Sequence, residues 1–140
     1  MSHASLTRRV RFGARHRFWN AEWGAAENKT VFGASADMNY HGHDYVCDVT
    51  VRGRPDARSG MVMDLAELDR ILAREVRARF DGKCINEDVP EFFDGRLSPS
   101  GENLARFIFE RVRGSLGSSV QVTEVVVAED DTLRASYRGD

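Results

Sequence analysis

The chain has 140 residues, of which 41% are hydrophobic and 30% are charged, and its formal net charge is −2. This length and composition predict one globular domain over residues 1–140 with its own core, beginning with a flexible N-terminal tail at residues 1–7. The near-zero charge gives no electrostatic basis for binding nucleic acid or an anionic membrane. No apolar run reaches the roughly 18 residues of a membrane span.

Cysteine usage and the first residues of the chain bear on its location. Cys47 and Cys84 are too few and too far apart to form a disulfide framework. Residues 1–12 lack the apolar stretch of a secretory signal, so we expect a cytoplasmic protein. Lys29 and Lys83 are the only lysines among many arginines, a bias that indicates a GC-rich, bacterial genome.

The first half of the chain predicts two strands joined by a long loop. Apolar and polar residues alternate over 7–18 and again over 41–53, which is the period of a half-buried strand. Residues 19–39 show no sustained period and predict a loop whose length is often associated with function. The apolar faces of the two strands carry three histidines: His16, His41 and His43.

The second half predicts two helices followed by a hairpin. Apolar residues recur at helical spacing over 63–80 and, after an irregular stretch, over 98–114, where Ser98 is the predicted cap. Residues 119–139 alternate again and turn near Asp130. The order is therefore strand, strand, helix, helix, strand, strand. We predict an α+β fold in which two helices pack on one face of an antiparallel sheet of about four strands.

The three histidines are candidates for a metal site. Residues two apart on a strand point to the same face, about 6–7 Å apart along the chain, so His41 and His43 can converge on one ion. If the two strands pair antiparallel, His16 supplies a third imidazole from across the sheet. Three nitrogen donors with one open position are typical of catalytic zinc. The alternative is that all three are ordinary core or surface histidines.

Several segments resemble the 6-pyruvoyl-tetrahydropterin synthase family, which includes the 6-carboxy-tetrahydropterin synthases. The likeness spans residues 8–138, and the spacing before H-G-H and the segment NEDVPEFF favour the animal-type pyruvoyl synthase layout. The segments that are similar to family motifs occur in the same order as in the family: FGARHRF, NYHGHDY, SGMVMDLAELDRIL, SPSGENLARFIFERV and VVVAEDD.

The resemblance implies a tunnelling fold (T-fold) and a homohexamer, built as a dimer of trimers with active sites between subunits. It also implies a Zn²⁺ ion that polarises hydroxyl and carbonyl oxygens of a small-molecule substrate. The implied zinc ligands are His16, His41 and His43. Glu129 is the implied partner of the guanidine-like edge of a pterin, although by itself it is an ordinary acidic residue of a hairpin. The same pocket is lined by Ser100 and Glu102.

The chain departs from the family at the residues that move protons. Family enzymes use a cysteine before H-G-H, assisted by an aspartate–histidine pair after the first helix. Here Ser35 stands at the position of the cysteine, or Asp37 if the loop follows the shorter bacterial layout. The pair becomes Asp81 and Gly82, and the remaining histidine, His3, lies near the N-terminus. Candidates for the missing base, each otherwise an ordinary loop residue, are Ser35, Asp37, Asp81 and Cys84.

These features lead to three functional hypotheses. The first is a zinc-dependent lyase or cyclase with an altered proton-transfer set, acting on a dihydropterin such as dihydroneopterin triphosphate or on a related hydroxy-carbonyl compound. The second is a catalytically inactive relative that binds pterin or metal, or an enzyme of a specialised pathway with a non-pterin substrate. The third is an ordinary pyruvoyl synthase in which Ser35 performs the task of the cysteine.

Overall fold

Two long strands form the centre of the sheet. In the computed structural model, which describes residues 2–37 and 39–140, β1 (Ala4–His16) and β2 (His41–Gly53) pair antiparallel along their whole length. β1 begins earlier than predicted, because residues 4–7, expected in a flexible tail, pair with the end of β2. The alternating pattern buries one face of both strands.

Three further strands complete a sheet with the order β3-β1-β2-β4-β5. β4 (Val120–Ala128) and β5 (Arg134–Tyr137) form the predicted antiparallel hairpin. β3 (Lys83–Cys84) pairs parallel with β1, and two residues are too short to give a periodic signal in the sequence. The α+β class and the order of the main elements are confirmed, but the sheet has five strands rather than four.

The first long helical segment follows β2 and contains a change of helical type. α2 (Leu65–Leu72) leads into a π-helical turn (Ala73–Arg77) and then into α3 (Ala78–Phe80). The carboxylate of Asp64 caps the start by accepting a hydrogen bond from the backbone N–H of Ala66 at 3.1 Å. Leucine, isoleucine and valine side chains of this segment pack into the core.

The second long helix, α5 (Gly101–Ser115), starts later than the sequence pattern predicted. Its cap is Ser100, whose hydroxyl accepts a hydrogen bond from the backbone N–H of Asn103 at 3.2 Å. Ser98, the predicted cap, precedes the helix and does not cap it. Since Ser98 and Ser100 flank Pro99, the start of α5 presents two hydroxyls on a turn that the proline stiffens.

The two segments predicted as irregular contain short helices. α1 (Ala25–Phe32) and a 3₁₀ turn (Gly33–Ala36) lie in the predicted long loop. α4 (Ile85–Asp88) and a 3₁₀ segment (Pro90–Gly95) lie between the two long helices. No helix among the described residues is both long and apolar enough to cross a membrane.

An aromatic stack joins the sheet to the helices near the histidine-bearing end of β1 and β2. Phe12 stacks on Tyr45 of the neighbouring strand, with ring centroids 4.8 Å apart, and on Phe80 at 5.3 Å. All three side chains are buried. The stack therefore supports the sheet just beneath the three histidines and holds their backbone in place.

Candidate functional site

The register of β1 and β2 brings the three histidines together. His16 lies directly opposite His41, and Ala14 opposite His43. Because side chains two residues apart point to the same face, all three imidazoles lie over one end of the sheet. Their donor atoms all lie within 4.8 Å of one another. The cross-strand convergence that the sequence pattern allowed is thus present in the fold.

His16 is held as a neutral imidazole with a defined proton position. Its side chain is fully buried, and this burial lowers its pKa to about 4, against the opposing effect of a hydrogen bond to Pro99. Nδ1 donates that hydrogen bond to the carbonyl oxygen of Pro99 at 2.9 Å. A carbonyl oxygen can only accept, so Nδ1 carries the proton and Nε2 keeps its lone pair.

Glu129 adds a carboxylate to the histidine cluster. It directly follows β4 and is only 8% exposed, and burial raises the pKa of its carboxyl group. Its Oε2 lies 3.6 Å from Nε2 of His43, and its Oε1 lies 3.9 Å from Nε2 of His16. No pattern in the sequence predicted this approach.

The donor set fits a divalent metal ion such as zinc. Nε2 of His43 and Oε1 of Glu129 are buried and have no hydrogen-bond partner among the described residues. Nε2 of His16 presents a lone pair toward the same carboxylate. Buried polar atoms that face one another without a hydrogen bond are balanced by a proton on His43 or by a bound cation. Neutral imidazoles and a carboxylate are common zinc ligands.

A cleft of about 570 Å³ opens beside this cluster. Phe18 lies on its wall and contacts His16, with ring centroids 5.0 Å apart. Of the predicted site residues, the cleft is lined by Ser35, Ser100, Glu102 and Glu129. Ser35 reaches the cleft because its backbone carbonyl accepts a hydrogen bond from the N–H of Phe18 at 2.7 Å. Residues distant in sequence therefore share one cavity next to the histidines.

The other three predicted site residues do not line this cleft. Asp37 is exposed in a separate, smaller pocket, where it accepts a hydrogen bond from the backbone N–H of Asn39. Asp81 is exposed and accepts hydrogen bonds from the backbone N–H of Gly13 and from Arg77. Cys84 is buried, and this burial raises the pKa of its thiol.

Sequence reasoning missed three groups at the site. The carbonyl of Pro99 fixes the proton on His16, and the hydroxyl of Tyr45 lies 3.0 Å from the same Nδ1. Ser98 lines the cleft with a buried hydroxyl oxygen that has no hydrogen-bond partner among the described residues. Tyr45 was detectable, since it continues the period of His41 and His43, whereas a backbone carbonyl leaves no trace in a sequence.

Comparison with known proteins places these observations in a family. The family model described as 6-pyruvoyl tetrahydropterin synthase matches residues 5–140. The 6-pyruvoyl tetrahydrobiopterin synthase of Drosophila melanogaster is 38% identical over 136 residues, covering 97% of this chain and 80% of that protein. The 6-carboxy-5,6,7,8-tetrahydropterin synthase of Aquifex aeolicus is 27% identical, with 95% and 96% of the two chains covered.

A solved structure gives the same result for the fold. The 6-pyruvoyl tetrahydropterin synthase of Caenorhabditis elegans superposes with a TM-score of 0.90 at 32% identity, covering 100% of this chain and 98% of that one. The agreement includes the T-fold architecture that the sequence motifs implied. With the family model matching nearly the whole chain, this protein belongs to the 6-pyruvoyl tetrahydropterin synthase family.

Proposed function

We propose that this protein is a zinc-dependent lyase or cyclase that acts on a dihydropterin such as 7,8-dihydroneopterin triphosphate, or on a related hydroxy-carbonyl compound. The observation that carries the proposal is that Glu129 belongs both to the cleft and to the surroundings of the histidine cluster. That residue lines the large cleft and also lies beside His16 and His43. A substrate in the cleft therefore reaches the metal-binding cluster.

The histidine cluster supplies the electrophilic part of the chemistry. The metal would be held by His16, His41 and His43, and when bound it polarises hydroxyl or carbonyl oxygens and so acidifies the adjacent C–H. Nδ1 of His16, bonded to Pro99, keeps the imidazole oriented with Nε2 toward the site. Burial lowers the pKa of His16 and of His41, so both rings are available as neutral donors.

The cleft offers a binding surface for a flat polar ring. Phe18 and Phe32 form an apolar part of its wall, and hydroxyls of Ser98 and Ser100 lie at the start of α5. The Ser100 oxygen accepts from Asn103, which leaves its hydrogen free to donate to a ligand. Glu129 can accept paired hydrogen bonds from an amidine edge such as that of a pterin. These groups support the family's ring-binding role for this pocket.

The proton-transfer set is the altered part of the proposal. Of the four candidates for the missing base, Ser35 lies on the cleft, whereas Asp37, Asp81 and Cys84 do not line it. A serine hydroxyl is a weak base near neutral pH. We infer that turnover, where it occurs through Ser35, is slower than with a cysteine thiolate at the same position.

Two alternatives follow from the same departures. Gly82 takes the place of the family histidine and adopts a positive φ of 74° at the end of the long helical segment. With three histidines in the cluster, only the exposed His3 remains. This favours, as a second candidate, a catalytically inactive pterin- or metal-binding relative. A specialised pathway enzyme with a non-pterin substrate would use the metal cluster alone.

Assembly and location complete the proposal. The outer edge of β1 is covered by β3 only at Ala14 and Arg15, and β5 forms the opposite edge of the sheet. Open strand edges favour pairing with other copies, which supports the homohexamer of two stacked trimers. Both cysteines are free and buried, which suits the reducing cytoplasm.

The test is incubation of the zinc-loaded protein with 7,8-dihydroneopterin triphosphate, followed by mass spectrometry of the products. Loss of triphosphate or of the side chain would establish a pterin lyase, and the product mass would identify the bond that breaks. An unchanged substrate that still binds would favour the inactive relative. An unchanged substrate that does not bind would exclude the pterin version of the proposal.

A further inference from the structure

The carboxylate of Glu129 lies where a fourth metal ligand would lie. Its oxygens are 3.6 Å from Nε2 of His43 and 3.9 Å from Nε2 of His16. Both separations are below the 4.8 Å that bounds the distances among the three imidazole donors. Ligand atoms around a tetrahedral zinc ion, with bonds of about 2.0–2.2 Å, are separated by about 3.3–3.5 Å. The carboxylate therefore lies close to ligand-to-ligand distance from His16 and His43, immediately beside the three-histidine group.

The contacts around Glu129 leave its Oε1 without a hydrogen bond among the described residues. Nδ1 of His16 is committed to Pro99, so Nε2 has no proton to donate to Oε1. Nε2 of His43 and Oε1 of Glu129 are both buried and have no partner among the described residues. A cation shared with the imidazoles would balance a carboxylate in this position, which is only 8% exposed.

From this geometry we propose that Glu129 is the fourth ligand of the metal ion in the substrate-free protein. The inference rests on the proposed metal-dependent function and deepens it. A dihydropterin carries its amidine edge on the ring and its metal-binding oxygens on the side chain, so one carboxylate cannot bind the metal and the ring edge at the same time. Glu129 would therefore leave the metal when substrate oxygens take its position, and would then be free to hold the ring.

This exchange would make Glu129 select for substrates that carry both metal-binding oxygens and an amidine edge. A molecule that carries oxygens for the metal but no amidine edge for the carboxylate displaces a ligand without providing a new partner for it. The displaced carboxylate is then left buried and unpaired, which costs binding free energy. A substrate with both features provides oxygens for the metal and a hydrogen-bonding partner for the carboxylate. Recognition of the ring is therefore coupled to the release of Glu129 from the metal.

The test uses metal binding in the absence of substrate. Co²⁺ replaces zinc as the probe, because its visible absorption reports the number and type of ligands. We compare the unaltered protein with Glu129→Gln, which keeps the shape of the side chain but loses its charge, and with Glu102→Gln. Glu102 is a second carboxylate on the cleft and is exposed, so it controls for long-range charge.

We expect Glu129→Gln to weaken Co²⁺ and Zn²⁺ binding by at least about tenfold, which corresponds to about 1.4 kcal/mol, and to change the Co²⁺ spectrum. Glu102→Gln should change neither. An unaltered spectrum and affinity in Glu129→Gln would overturn the inference and leave the three-histidine metal site standing. Absence of metal binding by the unaltered protein would overturn the proposed function itself. If Glu129→Gln does not fold, as judged by circular dichroism, Glu129→Asp makes the same comparison, because its shorter side chain withdraws the carboxylate.

Discussion

Nδ1 of His16 donates a hydrogen bond to the carbonyl oxygen of Pro99, with the two atoms 2.9 Å apart. This bond ties the end of β1 to the turn that starts α5, across 83 residues of sequence. It therefore joins the metal-binding cluster to the serine-lined side of the cleft. A ligand that orders the Ser98–Ser100 turn would also hold the His16 ring in its metal-binding orientation.

The proposed zinc site predicts that metal binding depends on the histidine cluster. We expect His43→Ala to lower zinc affinity by more than about 100-fold, because loss of outer-shell partners alone costs about 10–100-fold. We choose His43 for substitution because His16 is fully buried, and its removal would also leave a cavity in the core. The measurement is a competition titration with a chromogenic chelator.

The matched control for zinc binding is His3→Ala, since His3 is exposed and lies outside the cluster. It should bind zinc like the unaltered protein. Equal losses of zinc affinity in the two variants would mean that zinc binds to histidines without regard to their position. That result would contradict a specific site at His16, His41 and His43.

Ser35→Cys should restore part of the family's proton-transfer set. Ser35 lines the cleft, and a cysteine there gives a thiol whose pKa lies much closer to neutral pH than that of a serine hydroxyl. We expect triphosphate elimination from 7,8-dihydroneopterin triphosphate to become at least about tenfold faster, since a positioned acid–base group contributes about 10²–10⁴-fold.

Ser5→Cys on β1 is the control for the added thiol, because Ser5 is exposed and paired with Arg52 of β2, outside the cleft. It should leave the rate unchanged. No acceleration in Ser35→Cys, despite intact substrate binding, would show that position 35 is not where the proton is removed.

Two serines near the start of α5 should differ in how much they stabilise the fold. Ser100→Ala removes the cap of the helix and should lower the free energy of unfolding by about 1 kcal/mol. Ser98→Ala removes a buried hydroxyl oxygen that has no partner, so it should leave stability unchanged or slightly raised. Urea denaturation measures both effects, and a larger loss for Ser98→Ala would contradict the assignment of the cap.

The central strands were the most predictable part of the molecule. The period of two in β1 and β2, with one apolar face, fixed which side chains point inward and so predicted that His16, His41 and His43 could meet. Short elements gave no such signal: β3 has two residues, and α1 has too few apolar positions to form a stripe. These elements form because the core and sheet edge support them, and not because of their own propensity.

The approach of Glu129 to the histidines was beyond sequence reasoning. It depends on how β4 aligns with β2, where Val46 lies opposite Ala128 and the register shifts between Thr50 and Val51. A one-residue change in that alignment would turn the side chain to the other face. No local pattern in the sequence encodes such a bulge, so the fourth candidate ligand emerges only from the paired sheet.

Both cysteines should be unreactive in the folded protein. Burial raises the pKa of Cys47 to about 12, and burial also raises the pKa of Cys84. The thiolate is the reactive form, so iodoacetamide at pH 8 should label neither residue until the chain is unfolded, when both react. Cys47→Ala and Cys84→Ala assign any labelling that does occur. Rapid labelling of Cys84 in the folded protein would instead support it as a source or acceptor of protons.

The raised pKa of Cys47 should make the stability of the fold depend on pH in the alkaline range. A thiol whose pKa is higher in the folded than in the unfolded state stabilises the fold below its unfolded value, near 9, and this contribution is lost as pH rises toward about 12. The free energy of unfolding should therefore fall more steeply between these pH values in the unaltered protein than in Cys47→Ala. Equal slopes would contradict the burial of an uncharged thiol.

Gly95, at the end of the Pro90–Gly95 segment, should tolerate substitution less than Gly60 does. Its φ is +75°, and an added Cβ would lie 2.5 Å from the carbonyl oxygen of Trp19. Gly60 has nearly the same φ, +74°, but no heavy atom within 4 Å of an added Cβ. Gly60→Ala therefore measures the cost of the backbone conformation alone, about 1–2 kcal/mol. Gly95→Ala adds an overlap with backbone and should cost about 3 kcal/mol or more.

Urea denaturation of the two variants gives the difference directly. Equal losses would mean that Trp19 moves away freely, and that the segment after β1 is not held in place by its contact with the Pro90–Gly95 turn.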